Sequence, residues 1–219
     1  MGKPSGRARL LGRWSQSITQ DIASQFRPIL SKLYRITTDN IMPLAFPIPN
    51  ANAIRQITTH LSMVKEKDVD VPLRDGGLVR ANVYRPLAPG RYPVLMTYGP
   101  YGKDFPYADF HVESYSQIPD DQKGSESAWE TPHPDYWTSQ GYVVVRADER
   151  GIGSSPGFLD TMSDQTSSDF AEVIEWAAEQ DWSNGRVGLL GISYFGGSQW
   201  RVAARKPKGL AAIVPWEVS

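Results

Sequence analysis

The sequence predicts a mixed α/β domain: a mostly parallel sheet with helices on both faces, truncated after about the sixth strand. Three observations predict it. Apolar runs of strand length recur at 92–98, 142–147, 187–190 and 210–216, and the run at 142–147 is apolar almost throughout, as in a strand buried on both faces. Helical periodicity lies between the later runs, in Phe170, Val173, Ile174 and Ala177 and again over about 195–204. Before them, Val69 and Val71 alternate with Asp68 and Asp70, and a second strand at 78–84 follows across the hairpin-turn sequence Arg74-Asp75-Gly76-Gly77. An opening hairpin followed by strand–helix alternation is the pattern of a mostly parallel sheet.

Residues 1–62 read as a separate basic, helical arm ahead of the domain at 63–219. Trp14, Ile18, Ile22, Phe26 and the apolar residues of 29–33 recur at helical spacing, with Pro28 as a kink or stop. Pro43, Pro47 and Pro49 then predict an irregular connection. In the first 35 residues Asp21 is the one acid against seven Lys and Arg. A solvated basic arm and an organelle-targeting segment both fit that bias. No apolar h-region of a secretory signal is seen, and a cytoplasmic location is expected, with organelle targeting by the arm as the alternative.

The composition sets bounds on function. A net charge of −1 offers no field to attract nucleic acid or a membrane surface, so neither is an expected partner. No apolar run reaches the roughly 18 residues of a bilayer span. With no cysteine there are no disulfides or thiolate metal sites, and His60, His111 and His133 lack metal-ligand spacing. No metal and no organic cofactor is expected.

The strongest chemical signal is Gly191-Ile192-Ser193-Tyr194-Phe195-Gly196, between the fifth predicted strand and the next helix. A nucleophile on a sharp strand-to-helix turn needs small neighbours, and glycines provide them. Such a turn presents the Ser193 hydroxyl at the carboxyl edge of the sheet, beside backbone N–H groups at a helix N-terminus that can hold an oxyanion. The competing reading is a serine N-cap beside packing glycines. A second signal, Tyr98-Gly99-Pro100-Tyr101-Gly102-Lys103-Asp104, follows the third predicted strand, where the loop supplies oxyanion donors if that strand neighbours the serine strand. The Tyr101 phenol is either such a donor or a packed ring in a Gly/Pro turn. In a third segment, Asp148 to Gly157, the glycines do not match dinucleotide spacing, and Asp148 and Arg150 read as fixing loop geometry.

Taken together, several separated motifs resemble the X-Pro dipeptidyl-peptidase and cocaine-esterase group of α/β-hydrolases. They are Asp70-Val71-Pro72-Leu73-Arg74-Asp75-Gly76, Tyr84-Arg85-Pro86, the Gly99 to Asp104 segment, His133-Pro134-Asp135-Tyr136-Trp137, the Asp148 to Gly157 loop, Trp176, the stretch 185–200 and Pro215-Trp216-Glu217. The resemblance spans about 66–217. It implies Ser193 as nucleophile, the Tyr194 N–H and the Tyr101 phenol as oxyanion donors, and an acyl-enzyme mechanism on a small-molecule ester, amide or peptide substrate. The acid and histidine of that group follow the nucleophile. Here no histidine follows Ser193, and Glu217 is the one later carboxylate, so the chain is expected to be truncated and weakly active or inactive alone. The alternative is a non-catalytic binding or regulatory fragment of the same fold. None of the three histidines is expected to replace the base. An apolar last strand at 210–216 is expected to leave an open edge through which copies associate.

One long connection remains. Residues 101–135 carry eight acids against Lys103 and Lys123. They are expected to be a solvated loop; the competing reading is a cover for the site whose charge favours amine-bearing substrates.

Overall fold

The computed structural model describes residues 56–59 and 62–217. The basic helix and Pro-rich connection expected over most of 1–62 lie outside the described residues.

Seven strands form one sheet: β1 (Gln56–Thr59), β2 (Met63–Pro72), β3 (Leu78–Pro86), β4 (Tyr92–Gly99), β5 (Val143–Asp148), β6 (Ser183–Ile192) and β7 (Leu210–Trp216). Their spatial order is β1-β2-β3-β5-β4-β6-β7. The first three are antiparallel, β3 meets β5 antiparallel, and β5, β4, β6 and β7 run parallel. Between β2 and β3 the hairpin closes as expected: Gly76 takes φ +84°, its N–H donates to the Leu73 carbonyl at 3.0 Å, and the Gly77 N–H donates to Asp75 Oδ1 at 2.8 Å. β1 was not foreseen. It pairs with β2 from within the stretch read as the arm, and four residues carry too little pattern to announce a strand.

Side-chain alternation on β5 builds the two layers. Val143, Val145 and Ala147 enter the main core with Phe170, Val173, Ile174 and Ala177 of α4 (Asp164–Glu179) and Val202 of α5 (Tyr194–Ala204). Val144 faces the opposite way and packs with Met63, Tyr84 and Trp137, the last from α3 (Pro134–Ser139). All six residues of β5 are buried, which explains a run that is apolar but for Arg146 and the terminal Asp148. Ser163 caps α4 by accepting from the Thr166 N–H at 3.0 Å.

The connections locate the site. From β4 the chain crosses to β5 on one side; from β6 it leaves towards β7 on the other. Adjacent parallel strands whose following loops diverge leave a crevice at their carboxyl ends, the place where open α/β sheets bind ligands. Tyr101 follows β4 and Ser193 follows β6.

Residues 101–135 are not an open solvated loop. They form α1 (Tyr107–Phe110), α2 (Val112–Ser116) and a 3₁₀ turn at Asp120–Gln122. Trp129 organises them: it stacks on Phe110 at 5.4 Å and on His111 at 5.0 Å, and meets Tyr107 edge-on at 5.1 Å. Aromatic packing of this kind outweighs the polarity that argued for a solvated loop.

Candidate active site

Ser193 connects β6 to α5 at φ 55° and ψ −114°. A residue with a Cβ rarely adopts a left-handed φ, and such strain persists where surroundings impose it. Backbone hydrogen bonds impose it here. The Ser193 N–H donates to the Trp216 carbonyl at 3.0 Å, and its carbonyl accepts from Gly196 and Gly197 at 3.0 and 2.8 Å. Gly191 is required because a Cβ there would stand 2.4 Å from the Phe195 Cβ. Gly99, at the end of β4, would place one 2.5 Å from the Phe195 ring. The side chain of Ser193 is exposed at the sheet's carboxyl edge.

The pairing of β4 with β6 brings the Tyr101 loop beside this turn. The Tyr101 ring meets Phe195 at 5.3 Å and Tyr194 at 6.0 Å, both edge-on. Burial pushes the Tyr101 phenol up to about 12, the negative charge of Glu130 adds to this, and a hydrogen bond with the Ser193 side chain pulls the other way. The phenol is therefore protonated at neutral pH and able to donate. Lys103 anchors its loop: the buried ammonium reaches Asp68 Oδ1 and Asp104 Oδ2, each at 2.6 Å, and the Lys103 N–H donates to Asp148 Oδ1 at 2.5 Å.

Asp148 and Arg150 do fix a loop. Arg150 Nε donates to Asp169 Oδ2 at 2.5 Å and its Nη2 to Asp75 Oδ2 at 2.7 Å, tying the loop after β5 to α4 and to the β2–β3 turn. The carboxylate of Asp148 fills the space a Cβ on Gly153 would need, 2.3 Å away. His111 Nδ1 accepts from the Ser114 N–H at 3.2 Å as the cap of α2. His133 is the residue before α3, with Nδ1 3.8 Å from Asp135 and Nε2 buried without a hydrogen bond. His60 lies outside the described residues.

Sequence reading missed two carboxyls near this edge. Glu149 is 1% exposed and accepts the Tyr194 phenol at 2.7 Å. Glu130 sits at φ 56° with a buried, unbonded Oε2. Burial raises each to about 7, as it does Asp148 against the pull of Lys103. Both lie within otherwise ordinary polar segments, and their burial arises from non-local packing. Among the described residues no group of three or more His, Asp or Glu is placed to hold a metal ion. Nor is any helix among them long and apolar enough to cross a membrane.

A testable pH dependence follows. Folding holds Glu149 near 7 against an ordinary value of 4.5. Its neutral form is thus the one the fold favours. The stability associated with it is fully present below about pH 4.5 and is lost as pH rises through 7, and Glu130 acts in the same direction. Chain 1–219 is expected to melt at a lower temperature at about pH 8 than at about pH 5.5, and Glu130→Gln with Glu149→Gln should flatten that slope. An unchanged slope in the double variant would show that other groups set it.

An open, mostly parallel sheet with a strained strand-to-helix serine at its switch point is the architecture of an α/β-hydrolase. The chain belongs to the X-Pro dipeptidyl-peptidase (S15) family, whose model matches residues 75–218; this is a family of serine hydrolases that includes esterases and dipeptidyl-peptidases. It is 35% identical over 151 residues to a cocaine esterase of Rhodococcus sp. (strain MB1 Bresler), covering 68% of this chain and 22% of that protein. Against a putative Xaa-Pro dipeptidyl-peptidase of Bacillus anthracis it is 28% identical, covering 73% and 29%. A crystal structure of a CocE/NonD family hydrolase from Staphylococcus aureus superposes with a TM-score of 0.65 at 40% identity, over 71% of this chain and 28% of that one. The chain therefore spans under a third of the length of each of these relatives.

Proposed function

We propose that this chain carries the nucleophile and oxyanion half of a serine hydrolase acting on ester or amide bonds through an acyl-enzyme. The observation that carries the proposal is the backbone of Ser193, held at φ 55° between β6 and α5. Ser193 Oγ attacks the substrate carbonyl carbon. The carbonyl oxygen becomes an oxyanion that accepts from the Tyr194 N–H and the Tyr101 phenol. The leaving group departs with a proton, and water hydrolyses the acyl-serine. A histidine is needed to take the serine proton and an acid to orient it. No histidine follows Ser193 in these residues, so activity is assigned to a completed enzyme in which a further segment supplies both. The names of the relatives support an ester or peptide as substrate.

A fluorophosphonate probe tests the reading. Covalent labelling at Ser193 in the completed enzyme is expected. An unlabelled serine there, in a folded protein, would favour a binding fragment of the same fold.

The open edge at β7 carries a second expectation. Val214 and Trp216 are 48% and 63% exposed, Trp200 on α5 is 57% exposed, and the outer N–H and C=O groups of β7 have no neighbouring strand among the described residues. Exposed apolar edges pair with other strands. Chain 1–219 is expected to form dimers or larger species in sizing experiments; a strictly monomeric species with a sharp melt would contradict this.

A further inference from the structure

Glu149 has no part in that mechanism, yet its side chain bonds Tyr194, the residue whose N–H is one proposed oxyanion donor, and its charge is felt at Tyr101, the other. Its Oε1 accepts from the Tyr194 phenol at 2.7 Å. That phenol oxygen in turn accepts from the Met162 N–H at 3.1 Å, just before the Ser163 cap of α4. The Tyr194 side chain is therefore bonded on two sides, to the end of β5 and to the start of α4. Through its own backbone, Glu149 donates its N–H to the Gly99 carbonyl at 3.2 Å, where the Tyr101 loop begins. An apolar residue would fill a buried position at lower desolvation cost, and Glu149 keeps one oxygen, Oε2, buried without a bond.

We propose that Glu149 is a positioning residue for the oxyanion site: its carboxyl acts through the Tyr194 phenol to hold the Tyr194 N–H in register with Ser193. The inference rests on the serine-hydrolase reading for the roles of Tyr194 and Tyr101. The groups facing Glu149 are Tyr194 from α5, Asp169 from α4 (itself paired with Arg150), Tyr98 from β4 and Tyr101 from the following loop. A charged Glu149 disfavours ionisation of both Tyr101 and Tyr194, and would oppose an oxyanion held between them in the same way. Burial raises the Glu149 carboxyl and so lessens the negative charge behind the oxyanion, while the hydrogen bond from the Tyr194 phenol pulls the other way.

The test combines kinetics of the completed enzyme with hydrogen exchange on chain 1–219. Glu149→Leu removes the acceptor and is expected to lower kcat roughly 10- to 100-fold with KM little changed, as a small misplacement of a catalytic group does. Glu149→Gln keeps an acceptor for the phenol and should recover most of that loss. Tyr194→Phe leaves the backbone N–H in place and should lower kcat to a similar extent, with the double variant Glu149→Leu/Tyr194→Phe no slower than either single one. Deuterium uptake over 191–197 should rise in the Leu and Phe variants and stay near the parent in the Gln variant. An unchanged kcat in Glu149→Leu, losses that multiply in the double variant, or an effect on KM alone would overturn the proposal. If Glu149→Leu does not fold, Tyr194→Phe and Glu149→Gln still decide it, because equal uptake and equal kcat in the two would remove the role assigned to the bond. Retained turnover in Ser193→Ala would count against the serine reading instead, while the exchange data would still report on the Glu149–Tyr194 link.

Discussion

Ser193→Ala is expected to reduce kcat of the completed enzyme on an activated ester by roughly 10⁶ while leaving the fold intact, the scale seen when a triad serine is removed. The size of the effect comes from the loss of the only atom that forms the acyl bond. The fold survives because the strain at this position belongs to the backbone. Alanine takes φ 55° no worse than serine does, and the N–H still reaches the Trp216 carbonyl at 3.0 Å. Nor does the fold lose a cap, because the Ser193 side chain makes no capping bond to α5. This separates the two readings of the motif: an N-capping serine would show its replacement in the melting temperature, a nucleophile in turnover. Full activity in the alanine variant would remove Ser193 from the mechanism.

Tyr101→Phe is expected to lower kcat by 10²–10³, about 2.7–4 kcal/mol of transition-state stabilisation, with a much smaller change in KM. An oxyanion donor bonds most strongly to an oxygen that is charged only in the transition state. The phenol suits the task because burial pushes it up to about 12, so its proton is in place at neutral pH. The ring should stay where it is in the Phe variant, since its edge-on contacts with Phe110, Tyr194 and Phe195 do not use the hydroxyl. Steady-state kinetics on one ester give both constants. A raised KM with kcat unchanged would make Tyr101 a substrate-binding residue.

Most of the strand framework was legible because each strand's burial leaves its own mark. β5 is buried on both faces and reads as a run apolar but for Arg146 and Asp148; β2 alternates where Val69 and Val71 stand against Asp68 and Asp70; the turn between β2 and β3 needs a left-handed residue and has Gly76. The serine turn was legible because its glycines answer a local demand, met here by the close approach of Phe195 to Gly191 and Gly99. What escaped was non-local. The segment 101–135 looks polar in sequence, and only packing brings Tyr107, Phe110, His111 and Trp129 together. Glu149 stands in a run of charged residues, and its burial depends on α4 and α5, which lie far along the chain. β1 is four residues long and was hidden in a stretch read as an arm.

The central claim, that Ser193 carries the acyl group, is tested most directly by trapping. The completed enzyme would be mixed with an activated ester that deacylates slowly, quenched in acid, digested and mapped by mass spectrometry. One acyl adduct is expected, on Ser193, and it is absent in Ser193→Ala. An adduct on another residue, or one that persists in the alanine variant, would contradict it.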